Sequence, residues 1–322
     1  MNRSAVLIFN PVAGQSNPDQ DLAQIKEILE PHLDLEILFT TKEVDADELA
    51  KQAISRDIDI VIASGGDGTV SAVAAALVNS NIPLGIISRG TANAFAGALG
   101  IPNNIPGACE TILGDVKRVI DAAYCNGKPM VLLAGIGFEA ETVEKADRES
   151  KNRFGILAYI LAGVQQLREL ERFEAEIETD DKIIRVTAAS ITVANVAPAT
   201  SILAQGPAGL VADDGLLDVT LVAPMNIAGA IAASYHLFQT ALSGNATQRN
   251  DIGYLRTKKV KVTTEPPQKV VLDGEIIGTT PIEVECIPGG LTMIVPLLQE
   301  SPPTEKLAGL PDLEIEPKEE KG

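Results

Sequence analysis

Asp57–Leu77 reads DIDIVIASGGDGTVSAVAAAL: an apolar strand, a glycine-rich turn over Ser64-Gly65-Gly66-Asp67-Gly68-Thr69, and a helix. The unbroken Ile/Val run suits a strand covered on both faces, as in a parallel sheet flanked by helices. Consecutive glycines let backbone close around a small anion, and the helix that follows presents unpaired N–H groups at the positive end of its dipole. Asp67 would repel a phosphate unless a divalent cation lay between them, as in a Mg·ATP site. The other reading, a glycine-rich strand-to-helix turn with a solvated Asp, stays open.

On the N-terminal side, SAVLIF, a polar helix near Asp21 to Glu30, LEILFT and a second helix from Val44 to about Ser55 complete a βαβα order from Arg3 to about Leu99. That order predicts a mostly parallel, doubly wound sheet. Asp45 and Glu48 have the spacing of a capping box, which puts Thr40 and Thr41 at a strand end on the carboxyl edge of the sheet. On the other side come PLGIIS, then Arg89-Gly90-Thr91-Ala92-Asn93, then AFAGALG, a second strand-loop-helix unit with Thr91 and Asn93 at a helix N-terminus. Two such loops on adjacent strands form a crevice. The chain has no GxxxxGK[ST] and the loop does not fit GxGxxG, which removes P-loop enzymes and weakens the case for a dehydrogenase.

After about Asp121 the texture changes to short strands and tight turns: AAYC, MVLLAGIGF, FEAEIET, KIIRVTAASITVAN, LLDVTLV, KVKVTT, KVVL and PIEVEC. Asn126-Gly127, Asp180-Asp181 and Asp273-Gly274 mark reversals, so an antiparallel β domain is expected. The helical stretch Arg153 to Glu171 interrupts it, with an apolar face readable as core or as a lipid groove. Residues 219–248 carry no Asp, Glu, Lys or Arg. Pro224, Asn226, His236 and other polar residues interrupt that span, and a buried strand plus amphipathic helix fits better than a membrane crossing. Expected boundaries are 1–123 for the α/β domain and 124–286 for the antiparallel β domain. The Pro- and acid-rich tail 299–322 is expected to be disordered.

Composition narrows the function. The 322 residues carry 26 Lys plus Arg against 44 Asp plus Glu, a net charge of −18, with 3% aromatics and no Trp. Such a chain repels nucleic-acid backbones and lacks stacking platforms for single strands, so no nucleic-acid partner is expected. Cys109, Cys125 and Cys286 are odd in number and far apart, against a disulfide framework or zinc site. The five-residue apolar run after the N-terminus is short for a signal peptide, and a cytoplasmic location is expected. His32 and His236 have no partner pattern.

Asn10-Pro11-Val12-Ala13-Gly14, Gly65-Gly66-Asp67-Gly68-Thr69 and Gly90-Thr91-Ala92-Asn93, in this order and spacing, resemble the diacylglycerol-kinase catalytic domain family, most closely its soluble bacterial lipid kinases. The resemblance continues through Gly135-Ile136-Gly137-Phe138-Glu139-Ala140, Asp213-Asp214-Gly215-Leu216-Leu217-Asp218 and Leu272-Asp273-Gly274-Glu275, over roughly residues 3–298. It implies an α/β N-terminal domain similar to NAD kinases and phosphofructokinases, a C-terminal antiparallel β-sandwich over 124–286 with a strand near 287–298 returning to the first domain, and ATP in the cleft. By position the ATP contacts would be Asn10, Thr40, Gly65, Gly66, Asp67, Gly68, Thr69 and Thr91.

The same resemblance implies Mg²⁺ as cofactor, a lipid alcohol such as diacylglycerol as acceptor, and a role in phospholipid metabolism; the acidic surface limits any contact with a membrane surface to a brief one made through apolar side chains near the cleft. The resemblance also makes Glu275 the general base, with Asp273 contacting metal or orienting the substrate; the residues alone allow Asp273-Gly274 to be only a hairpin turn. A structural magnesium site would consist of Asp214 and the carbonyls of Val211 and Leu216, with a metal-free Asx-type turn as the alternative. Two departures stand out. Ala94 follows Asn93 where many relatives carry Asp, and VANVAPATSILAQGPAG replaces a glycine-rich stretch. A kinase of a soluble acceptor such as NAD and a non-catalytic nucleotide- or lipid-binding protein remain alternatives, and oligomeric state is open, a homodimer included.

Overall fold

The computed structural model describes residues 2–137, 172–197, 211–223 and 252–297. The expected helix at Arg153 to Glu171, the uncharged span beyond Ala223 and the acidic tail lie outside the described residues.

The first half alternates strands and helices as read from the sequence. β1 (Arg3–Phe9), β2 (Leu33–Phe39), β3 (Ile60–Gly65) and β4 (Leu84–Ser88) form a parallel sheet in the order β2-β1-β3-β4. β1, β3 and β4 are buried almost throughout, as strands covered on both faces must be. α1 (Pro18–Leu29) starts at Asn17, whose side chain accepts from the N–H groups of Asp19 and Gln20. α2 (Ala46–Ile54) also starts where expected, but Asp45 makes no side-chain capping bond, so the capping box marks the start without forming. α3 (Asp67–Leu77) follows β3 directly, and α4 (Ala94–Ala98) is only five residues long. α5 (Ile105–Gly114), capped by Asn104 on Gly107 N–H, packs on α1 and β4.

The second half is antiparallel. β5 (Lys117–Cys125) and β6 (Lys128–Met130) form the Asn126-Gly127 hairpin. β7 (Leu133–Gly137), β10 (Ser190–Ala194), β11 (Leu217–Val222), β12 (Ile252–Thr257), β14 (Lys269–Leu272) and β15 (Glu275–Thr279) make a six-stranded sheet ordered β12-β11-β10-β7-β14-β15. It faces the antiparallel end of the larger sheet, where β8 (Phe173–Thr179), β9 (Ile183–Ala188), β13 (Lys259–Glu265) and β16 (Ile282–Ile294) continue from β4 in the order β4-β16-β13-β8-β9. A second apolar core, including Phe173, Ile191, Val219, Val262 and Val284, fills the space between the two sheets, so this half is a β-sandwich.

Three runs that read as single strands are divided differently. KIIRVTAASITVAN crosses between sheets at Ala189: β9 belongs to the larger and β10 to the smaller, and Ala189 N–H bonds the carbonyl of Val222. MVLLAGIGF breaks at Val131-Leu132 between β6 and β7. PIEVEC, conversely, runs on through Pro288-Gly289-Gly290 as β16, with a register shift between Ile287 and Leu291. β16 pairs antiparallel with β13 and β5, and Met293 pairs parallel with Leu84 of β4. The three cysteines are free and buried.

Candidate functional site

Parallel register gathers the predicted loops at one edge. Phe9 lies opposite both Phe39 and Ser64, and Gly65 opposite Ser88. The residues that leave these strands stay bonded to each other: Thr40 N–H to the Phe9 carbonyl at 3.0 Å, Asn10 N–H to Ser64 at 2.9 Å, and Arg89 N–H to Gly65 at 2.7 Å. Asn10, Thr40, Gly65–Thr69 and the loop bearing Thr91 therefore share the carboxyl edge of the sheet, where open α/β sheets bind ligands.

The loops are also bonded side chain to side chain. Asn10 Nδ2 donates to Thr69 Oγ1 at 2.8 Å, while its Oδ1 accepts from Val12 N–H. Gly66 is the N-cap of α3 and supplies no capping side chain, so the first N–H groups of that helix remain available to an anion. The carboxylate of Asp67 is turned elsewhere. Its two oxygens accept from the N–H groups of Asn93 (2.9 Å) and Ala94 (2.5 Å), so it caps α4. Its charge is met by backbone donors, and its geometry calls for no interposed cation. The end of α4 is likewise occupied by Asp67, and Thr91 stands exposed on the rim. Close approach explains Gly90, whose added Cβ would lie 2.8 Å from the Gly66 Cα.

Arg89 was not foreseen as a site residue. Its side chain is 2% exposed; Nε meets Asp21 Oδ2 at 2.8 Å, Nη1 donates to the Asn10 carbonyl at 2.8 Å, and the guanidinium carbon lies 4.3 Å from the centre of the Phe9 ring. Ser16 donates to the same Asp21 oxygen. Gly14, at φ +85°, crosses so close that a Cβ would fall 2.5 Å from the Arg89 carbonyl oxygen. The only local sign was a basic residue ending an apolar strand, and its acidic partner is 68 residues away in sequence.

The second group of expected residues lies on the β14–β15 hairpin. Asp273 and Gly274 take positive φ values of 47° and 93°, the conformation a two-residue type I′ turn demands. Asp273 is nevertheless more than a turn residue: its carboxylate accepts from the N–H groups of Val131, Leu132 and Leu133 at 2.8–2.9 Å. Val131 and Leu132 belong to the core of the α/β layer, so Asp273 fastens this hairpin to that core. Glu275 begins β15, where its backbone pairs with Leu272, and is exposed; its carboxylate takes part in no described hydrogen bond or ion pair. No described contact joins it to Asn10, Thr69 or Thr91.

Burial pushes the Asp273 carboxyl up to about 6, outweighing the three N–H bonds that favour its charged form; nearby Glu275 adds to the rise. The folded value exceeds the unfolded one, near 3.8. The native state therefore holds the proton more tightly, and this group's contribution to stability is largest below pH 4 and is lost as pH rises to 6. Accordingly, the melting-temperature advantage of the native chain over Asp273→Asn should shrink between pH 4 and pH 7. A constant or growing difference would contradict it.

At the turn expected to hold a structural metal, the Asp214 carboxylate is engaged by the protein itself. Asp214 Oδ2 is ion-paired with Arg256, and its Oδ1 accepts from Leu216 N–H at 3.1 Å, an Asx-type closure. Among the described residues, no cluster of three His, Cys, Asp or Glu side chains could hold a metal ion.

Residues 4–125 match the family described as "Diacylglycerol kinase catalytic domain", and residues 133–295 match "YegS C-terminal NAD kinase beta sandwich-like domain". A protein of Synechocystis sp. named only as uncharacterized is 52% identical over 90% of this chain and 70% of its own length. The diacylglycerol kinase of Bacillus subtilis is 32% identical over 87% of this chain and 92% of its own. A crystal structure of a diacylglycerol kinase from Bacillus anthracis superposes with a TM-score of 0.71 at 26% identity, covering 92% of this chain and 97% of that one.

Proposed function

The chain belongs to the diacylglycerol kinase catalytic domain family, and from that premise we propose that it is an ATP-dependent lipid kinase, transferring the γ-phosphoryl group of ATP to the hydroxyl of a lipid alcohol such as diacylglycerol. One observation carries the assignment of roles. Asp67, Asp273 and Asp214 each have both carboxylate oxygens committed within the protein, whereas Glu275 has none committed among the described contacts.

Glu275 is therefore the base that takes the proton from the acceptor hydroxyl. The oxygen then forms its bond to the γ-phosphorus as the bond to the bridging oxygen of ADP breaks. The open N–H groups of α3, with Asn10 and Thr69 fixed beside them, receive the phosphates; Thr40 and Thr91 flank them on the same edge. Asp67 and Asp273 act as positioning residues, the first joining two loops and the second holding the hairpin of Glu275 against residues 131–133. Mg²⁺ bound with ATP would supply charge neutralisation at the phosphates. Catalysis is mainly placement and charge neutralisation. The lipid reaches the cleft from a membrane surface; among the described residues no helix is long and apolar enough to cross a membrane.

The test is transfer of labelled γ-phosphate from ATP to a panel of lipid alcohols in mixed micelles, with NAD as a parallel acceptor. Label in a lipid is the expected result. Label in the dinucleotide alone, or ATP binding without transfer to any acceptor, would overturn the reading.

A further inference from the structure

The turn Asp213-Asp214-Gly215 sits among four carboxylates. Asp213 is paired with Arg118 at 3.0 Å, and Asp121 accepts from the N–H groups of Gly215 (2.7 Å) and Gly289 (2.8 Å). Asp218, 0% exposed, shares its Oδ1 between the Tyr254 hydroxyl and Arg256 Nε. Asp214 takes the other side of the same guanidinium. The register makes this possible, because Asp218 of β11 and Arg256 of β12 are direct cross-strand partners, and Asp214 lies four residues before Asp218 where the chain enters the strand. A cleft of about 530 Å³ opens beside the turn, lined by Asp121, Asp213, Asp214 and Lys258.

We propose that Arg256 is the resident cation of this turn: its guanidinium bridges Asp214 and Asp218 in the place a divalent ion would take, and the native chain binds no divalent metal there. The chemistry of the donors supports this. An ion bound to an Asp214 oxygen at Mg²⁺ distance, about 2.1 Å, would lie within roughly 4 Å of the guanidinium and be repelled by it. The planar fork of Arg, unlike a point charge, can serve two carboxylates at once through separate N–H groups. The peptide N–H of Leu216 takes the remaining Asp214 oxygen, so the turn is closed without an ion. Removing the guanidinium leaves two neighbouring carboxylates, one fully buried, with no cation between them. That arrangement attracts a divalent ion.

The full chain, stripped of metal and kept free of nucleotide, should contain no stoichiometric metal and show the same melting temperature with and without millimolar Mg²⁺ or Ca²⁺. Arg256→Gln should melt roughly 5–10 °C lower and recover part of that loss when either ion is added. Arg256→Lys, which retains the charge, should lose less and not respond to the ions, and it serves if the glutamine variant does not fold. One bound ion per native chain, or a rise in its melting temperature with Mg²⁺ or Ca²⁺, would overturn the proposal. So would a destabilised Arg256→Gln protein indifferent to both ions, since Arg256 would then be an ordinary ion-pair partner. Because every readout omits ATP and lipid, the outcome is independent of whether the chain phosphorylates a lipid.

Discussion

Glu275→Gln should lower kcat for lipid phosphorylation by about 10²- to 10⁴-fold, the range a positioned general base supplies, with nucleotide affinity unchanged. Glutamine keeps the size of the side chain and its place at the start of β15 but cannot take a proton. The side chain is exposed and outside the described hydrogen-bond network, so the substitution should leave the melting temperature alone. Loss of kcat at constant ATP affinity and constant stability separates a base from a structural residue. The same measurement on Asp273→Asn should look different, because that change disturbs the acceptor of three backbone N–H groups and shifts stability together with rate. A Glu275→Gln enzyme with full activity would remove Glu275 from the chemistry.

The second large effect is expected at Arg89. Arg89→Met removes the guanidinium and leaves the Asp21 carboxylate buried with only the Ser16 hydroxyl among its described side-chain partners, a loss of about 3–5 kcal/mol for a broken buried pair. Urea denaturation should show it as a lower midpoint at unchanged slope. Most of the loss should return in the double variant Arg89→Met/Asp21→Leu, where no charge remains to be buried. Arg89→Lys keeps a charge for Asp21 but cannot also reach the Asn10 carbonyl and lie on the Phe9 ring. It should fold and raise KM for ATP about tenfold, the equivalent of one hydrogen bond of some 1.4 kcal/mol. An Arg89→Lys protein with unaltered KM would mean that the arginine holds the loops together without placing Asn10.

Much of the architecture could be read from local pattern. Strand runs such as IVIASG and LGIIS, the Asn-Gly and Asp-Gly turns, and the change of texture after Asp121 identified a parallel α/β half and an antiparallel β half. Periodicity reports whether a residue is covered but not which sheet covers it, and for that reason the crossing at Ala189 and the break at Val131-Leu132 were hidden inside continuous apolar runs. PIEVEC and the strand expected near 287–298 turn out to be one element, β16, which shifts register across Pro288-Gly289-Gly290 and goes on.

At the site, the loops that carry Asn10, Gly65–Thr69 and Thr91 were legible from their glycines and their position after strands. The partners of the acids were not. Asp67 reaches N–H groups 26 and 27 residues away, Asp273 reaches three that are 140–142 residues away, and no spacing rule links Asp214 to Arg256. Carboxylates that looked like metal ligands in the sequence were instead met by backbone donors and a guanidinium.

The path of β16 bears on how the polypeptide matures. Met293 stands beside Leu84, so the sheet begun by the first ninety residues acquires its neighbour on the β4 side from almost the last part of the described chain. During vectorial synthesis the α/β half emerges first, yet the edge of β4 stays unpaired until β16 has left the ribosome. That is a long-range closure, slow by the measure of contact order, with an apolar strand edge open to aggregation in the interval. The half that reads as the autonomous unit is thus sealed by the half that follows it, and the two ripen together.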